Sequence, residues 1–361
     1  MCLECGFHDS DSDPVACSKR EKGVHTDPCE ECTKSFELFE DLRNFHAEVD
    51  KKIEQRYSID TLLEDDMAQW KEDIEIYFRN FMSYRSHITQ AKDESIWDAS
   101  FYKNLEANEC VVVMDFKMKI LSSLFREKQR DWFSKRGFSL LGALIIFGSP
   151  EDDEHNEVLY HFFISEDTTQ DAEYVNTVKQ VLYQLILPQY GIDSVHYRCD
   201  GAGCFVSAEA KAAMAHWFRL TGIMEKTYKN NVPGKGKSPL DGQFGIQGQS
   251  LTRQIDEGGS FSNVEELYAL LLERPLQYTE YHLLDLKRHL VDWRVEKEVE
   301  KLPLSRGYYL LNNEHGKITG FPHSRHGTGK RLILLDEGKF EARFILTFFL
   351  DLSLSSQAFL S

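Results

Sequence analysis

Three aspartates carry the chemistry this sequence offers. Asp115 sits in the middle of Cys110–Ile120, a β-branched run that alternation makes a strand. In an undisturbed strand Val111, Val113, Asp115, Lys117 and Lys119 share one face, and Val112, Met114, Phe116, Met118 and Ile120 share the other. Asp200 ends the strand Val195–Cys199 and opens the turn Asp200-Gly-Ala-Gly-Cys. Asp241 falls in the first turn of a helix whose first position is Pro239 and whose apolar stripe runs through Phe244, Gly248, Leu251 and Ile255. The spacings are 85 and 41 residues. Carboxylates that converge in this way can hold two Mg²⁺ or Mn²⁺ ions about 3.5–4 Å apart, one for the attacking and one for the leaving oxygen of a phosphodiester. Simpler roles stand beside this one. Asp115 could be a solvated residue of a bent edge strand, and Ser238 with Asp241 has the spacing of a capping box. Glu257, Glu265 and Glu266 are alternative third acids.

Lysines cluster near these acids. Lys117 and Lys119 follow Asp115, and Lys235 and Lys237 precede Asp241 in Gly-Lys-Gly-Lys, so all four are candidates for neutralising phosphate. From Phe116 to Arg136 there are seven Lys or Arg against two acids, with Phe125, Trp132 and Phe133 interleaved. Such stretches meet phosphates and stacked bases, but they also form ordinary surface helices. Gly327-Thr-Gly-Lys330 lacks the full phosphate-loop spacing and puts Arg331 at the Ser/Thr position.

The first 35 residues hold Cys2-x2-Cys5 and Cys29-x2-Cys32. Two such knuckles are the usual source of four thiolates for a structural Zn²⁺, and unpaired surface thiols are the alternative. No secretory leader precedes them in this sequence, so a reducing compartment is expected.

The elements needed to position the acids can be read in order. Apolar spacing makes Phe36 to about Lys92 helical. Strands are expected at 110–120, 137–148 and 158–164, a helix over 171–187, a strand at 195–199 and a helix from Ser207 to about Leu220. Strand, strand, strand, helix, strand, helix is the chain order of a ribonuclease H-like fold, in which the first and fourth strands are neighbours. That adjacency would bring Asp115 beside Asp200. Beyond the core, a short helix at 265–275 and a longer one at 283–301 precede strands at 307–311, 331–335 and 344–350, read as a small β-rich appendage packed beside the core.

Four blocks in this order resemble a family of transposon-derived eukaryotic proteins with a ribonuclease H-like, DDE-type transposase core behind a cysteine-rich N-terminal region. They are Val111-Val-Val-Met-Asp-Phe-Lys-Met-Lys-Ile, Phe125-Arg-Glu-Lys-Gln-Arg-Asp-Trp-Phe-Ser-Lys-Arg-Gly, Tyr197-Arg-Cys-Asp-Gly-Ala-Gly-Cys-Phe and Gly234-Lys-Gly-Lys-Ser-Pro-Leu-Asp-Gly. The likeness spans roughly residues 85–275. It implies Asp115, Asp200 and Asp241 as a catalytic triad of acids, with Gly203, Cys204 and Lys235 as further motif positions. It also implies DNA as partner, a nuclear location, and hydrolysis followed by strand transfer through a DNA 3′ hydroxyl. The chain departs from the family pattern at Leu240, where the family has a cysteine, and at Asn230 and Asn231, where it favours acidic and aromatic residues. Those departures leave a second reading open, a catalytically inactive DNA- or protein-binding regulator. A nuclease acting on RNA would differ only in substrate.

The totals set the frame. With 361 residues, 42% hydrophobic and 28% charged, the chain can bury a sizeable core in two or three units. A net charge of −17 excludes polyanion binding over the whole surface. The longest apolar runs are too short for a bilayer, so a soluble, intracellular protein without membrane contact is expected. A helical arm at 36–105 could pair two copies as a homodimer. The expected fold class is α/β, a ribonuclease H-like mixed sheet flanked by helices. Its divisions are a zinc-binding module at 1–35, a helical region at 36–105, a DDE core at 106–275 and a helix with a small C-terminal appendage at 276–361.

Overall fold

The computed structural model describes residues 30–55, 61–125, 127, 135, 137–148, 156–231, 238–286, 310–314, 317–321 and 330–333. Cys2, Cys5 and Cys29 lie outside these residues, as do Lys235, Lys237 and most of the basic stretch before Gly137. Cys32 falls within the first helix, with its side chain outside the description.

Two compact units divide the chain, residues 1–96 and 97–361. In the first, α1 (Glu30–Glu54) pairs with the leading part of α2 (Thr61–Lys103). Phe39 meets Phe78 at 5.1 Å and Phe45 meets Trp70 at 5.8 Å, so the two helices run antiparallel. Arg43 lies over the Phe78 ring and reaches Glu75 at 2.7 Å. No helix among the described residues is long and apolar enough to cross a membrane.

The second unit is an α/β layer structure around a mixed sheet. Its strands are β1 (Glu109–Leu121), β2 (Gly137–Phe147), β3 (Val158–Ser165), β4 (Ser194–Cys199), β5 (Met224–Asn230), β6 (Thr279–Leu283), β7 (Leu310–Glu314), β8 (Lys317–Phe321) and β9 (Lys330–Ile333). They stand in the order β6-β3-β2-β1-β4-β5-β7-β8-β9. β1, β2 and β3 form an antiparallel meander, and β4 and β5 then continue parallel to β1. β1 is buried from Glu109 to Met114, as a strand between two neighbours and two helical layers should be.

The two layers have distinct cores. On one face Val112, Met114, Val195 and Tyr197 pack under α3 (Ala172–Val181) and its continuation through a π turn and a 3-10 turn to Tyr190. On the other, Val111, Val113, Leu140 and Phe162 pack under α7 (Pro239–Asp256) and α8 (Val264–Glu273). A β-bulge between Lys117 and Ile120 breaks the simple alternation. Ile120 therefore joins the Val111 side and Met118 is 88% exposed, the reverse of what strict alternation predicts for Ile120.

Three other expectations need correction. The helix expected from Ser207 to Leu220 is two short pieces, α5 (Ala208–Ala213) and α6 (Trp217–Thr221), preceded by a single turn, α4 (Gly203–Val206). Thr279–Leu283 is a strand parallel to β3, so the sheet extends past residue 275. β7 to β9 extend the same sheet through β5 instead of packing as a separate appendage. The expected strand at 344–350 and most of the helix at 283–301 lie outside the described residues.

Candidate functional site: three converging carboxylates

Asp115 is placed by β1. Its neighbour Phe116 turns to the opposite face, where it packs edge-on against Tyr174 at 5.2 Å and beside Phe205 at 5.9 Å. That packing fixes the strand, and Oδ1 of Asp115 accepts the Phe116 backbone N–H at 2.8 Å. Asp200 is placed by β4. The last registered pair of β1 and β4 is Met114 with Cys199, so Asp115 and Asp200 come one residue later on adjacent strands. Neighbouring strands lie about 4.8 Å apart. Oδ1 of Asp200 accepts the Ala202 N–H at 2.8 Å, an Asx turn that leads into α4.

Asp241 arrives on α7, and Gly142 explains how. Gly142 is the β2 partner of Asp115. A Cβ built there would lie 2.7 Å from the Phe244 ring and 2.8 Å from Leu240. Only glycine lets the first turn of α7 settle this closely on the sheet beside Asp115. Asp241 does cap the helix, since its Oδ2 accepts the Ser238 N–H at 2.7 Å. Each acid thus has one oxygen tied by a backbone N–H, and the other oxygen has no hydrogen-bond partner among the described residues.

Electrostatics show that the three share one field. The Asp115 carboxyl is raised to about 6, first by burial and then by the charges of Asp200 and Asp241. Among the described residues, none of the three forms an ion pair. Asp241 is exposed while Asp115 and Asp200 are half-buried, so the cluster opens to solvent. A Cβ built on Gly201, Gly203 or Gly242 would meet nothing within 4 Å, and the glycines beside the acids therefore leave room above them.

The lysines divide. Lys117 is half-buried and donates to the Phe244 carbonyl at 2.7 Å, which ties β1 to α7 and directs the ammonium away from a free phosphate-binding role. Burial lowers its pKa. Lys119 is exposed within the bulge. Cys204 of the Asp-Gly-Ala-Gly-Cys turn has its thiol pushed up to about 12 by burial and by Asp200, and so is no nucleophile.

Two supports of the site escaped the sequence. Gly142 is one, and nothing in the run Gly137–Phe147 marks it as a helix contact. The other is Asp98 near the end of α2, which receives Arg198 and Lys229 at 2.6 Å each. Arg198 and Lys229 are register partners on β4 and β5, one residue before Cys199 and Asn230. Trp97 lies under both cations, and Tyr102 accepts from Arg198 at 3.1 Å. This network anchors the strand ends that carry Asp200.

Residues 99–284, just over half of the chain, match the family described as a domain of unknown function, DUF8701, and the protein belongs to that family. No curated protein and no solved structure matches the chain.

Proposed function

We propose that this DUF8701 protein is a metal-dependent phosphoryl transferase of the DDE transposase type, built on a ribonuclease H-like core and acting on DNA. The observation that carries the reading is the convergence of Asp115, Asp200 and Asp241, three acids 85 and 41 residues apart, where burial first and then the charges of Asp200 and Asp241 raise the pKa of Asp115. The topology supports it. An antiparallel β1–β2–β3 meander followed by parallel β4 and β5 in the spatial order 3-2-1-4-5 is the plan expected of a ribonuclease H-like core. The transposon-derived family resemblance of the four sequence blocks points the same way.

The donor set fits hard divalent cations. Three carboxylates with no cationic partner among the described residues, each with an uncommitted oxygen, suit Mg²⁺ or Mn²⁺ better than softer metals. When bound, such ions supply Lewis-acid activation of the attacking oxygen and stabilise the leaving one. The chain's own part is positional. Asp115 in mid-β1 and Asp200 just past the end of β4 present oxygens from adjacent strands, the backbone N–H ties fix their orientation, and Asp241 approaches from the α7 face. Lys119, Lys235 and Lys237 are the lysines left for phosphate neutralisation in this reading, and Lys117 serves to dock α7. The N-terminal cysteines would hold Zn²⁺ in a module that finds DNA or a partner, and the protein would work in the nucleus.

One observation favours the second reading, a catalytically inactive DNA- or protein-binding regulator. Lys117, which follows the first acid on the strand by two residues, is committed to a structural hydrogen bond. Cleavage of labelled duplex and single-stranded DNA with Mn²⁺ separates the two. The proposal expects nicking by the wild type that is abolished in Asp115→Asn and Asp200→Asn. Binding of DNA without any metal-dependent cleavage supports the regulator instead.

A further inference from the structure

At the far edge of the sheet, His161 of β3 and Glu280 of β6 are register partners, and His282 follows Glu280 on the same face. Nδ1 of His161 lies 3.0 Å from Nε2 of His282 and 3.6 Å from Oε2 of Glu280. One ligand atom from each of the three residues falls within 4.8 Å of the others. A tetrahedral zinc with bonds of about 2.0–2.1 Å holds its ligand atoms roughly 3.4 Å apart, and the observed separations bracket that spacing.

The set is separate from the acid cluster. His161 pairs across the sheet with Ala143, on the face covered by α3, while Asp115 pairs with Gly142 on the face covered by α7. Two strand spacings, roughly 10 Å, lie between them in the sheet plane.

We propose that His161, Glu280 and His282 form a zinc site that clips edge strand β6 to β3. Two imidazoles and one carboxylate are a borderline donor set, suited to Zn²⁺ or its substitute Co²⁺ and poor for Mg²⁺. The two imidazoles meet edge to edge, and Phe163 stacks on His282 at 4.7 Å between centroids, which holds that ring in place before any metal arrives. His161 is fully buried, and its Nε2 has no hydrogen-bond partner among the described residues. The converging atom is Nδ1, which meets Nε2 of His282 at hydrogen-bond distance before any metal arrives. Glu280 has its side chain 52% exposed, so the fourth coordination position faces water. The clip joins residues 121 apart in sequence, which makes it a stabiliser of the edge strand.

Calorimetric zinc titration of the full chain tests this, with thermal unfolding followed with and without zinc. Any N-terminal cysteine site contributes equally to every variant, so the comparison is between variants. The wild type is expected to take one more equivalent than His282→Asn, and Glu280→Gln to weaken that equivalent at least about tenfold. The zinc-dependent rise in Tm should shrink in both, and Co²⁺ at this site should give visible bands without thiolate charge transfer. Equal zinc stoichiometry and affinity in wild type and His282→Asn would overturn the proposal and leave the pair as a buried hydrogen bond. Should His282→Asn fail to fold, Glu280→Gln decides alone, because its side chain is half exposed. Unchanged affinity there overturns the site equally.

Discussion

Under α3, Lys179 and Glu225 meet at 2.9 Å with both side chains fully buried. The Lys179 ammonium also sits 3.4 Å from the centre of the Tyr197 ring, and the Tyr183 hydroxyl donates to the same Glu225 oxygen at 2.6 Å. Where the β1–β4 ladder ends, just past Met114 and Cys199, three acids instead gather around a shared opening with no ion pair among the described residues. The first cluster closes its own charge balance and can serve only stability. The second leaves its balance open, and the missing positive charge has to come from solution. A fold that pairs buried charges internally, Asp98 with Arg198 and Lys229 included, has left this cluster without an ion pair among the described residues. That contrast is the physical case for a cation-dependent site.

The contrast can be broken from either side. The largest effect should come from the closed cluster. Lys179→Met strands Glu225 in the core and is expected to cost about 3–5 kcal/mol by urea denaturation. Adding Glu225→Leu should recover much of that loss, and a single variant as stable as wild type would mean the pair is not truly buried. The open cluster should respond in the other direction. The folded carboxyl of Asp115 titrates near 6 against about 3.9 when unfolded, so the native state holds more protons between those values. Stability therefore falls as pH rises from about 4 to 6, and ionised Asp115 is a net cost at neutral pH. Discounted for its partial exposure to solvent, Asp115→Asn should gain about 1 kcal/mol at pH 7.5 without divalent metal and lose that slope with pH. A variant less stable than wild type at pH 7.5 would show that the carboxylate is instead structurally required.

The same contrast explains what could be read from the sequence. The strand around Asp115, the turn at Asp200 and the Pro239 start of α7 are legible because local rules set them: alternation, an Asx turn and proline at a helix's first position. β5 carries no strand signal of its own. Met224-Glu-Lys-Thr-Tyr-Lys-Asn looks like a solvated segment, because Glu225 and Lys229 are matched by Lys179 and Asp98 from distant elements. β6 was hidden for a related reason, its short polar sequence being stabilised by pairing with β3. The face assignment of Ile120 failed at a bulge that no spacing rule announces. The convergence of the three acids could be anticipated only through the strand order, and the role of Gly142 needed the α7 contact itself.

Mn²⁺ binding to zinc-saturated protein, followed by calorimetry in the wild type and in Asp115→Asn, Asp200→Asn and Asp241→Asn, tests the central claim most directly. Zinc saturation occupies any cysteine or histidine site beforehand, so further binding reports the acids. The account predicts Mn²⁺ binding that each of the three substitutions weakens at least about tenfold. Absence of Mn²⁺ binding in the wild type even with duplex DNA present, or binding that all three variants retain unchanged, would contradict it.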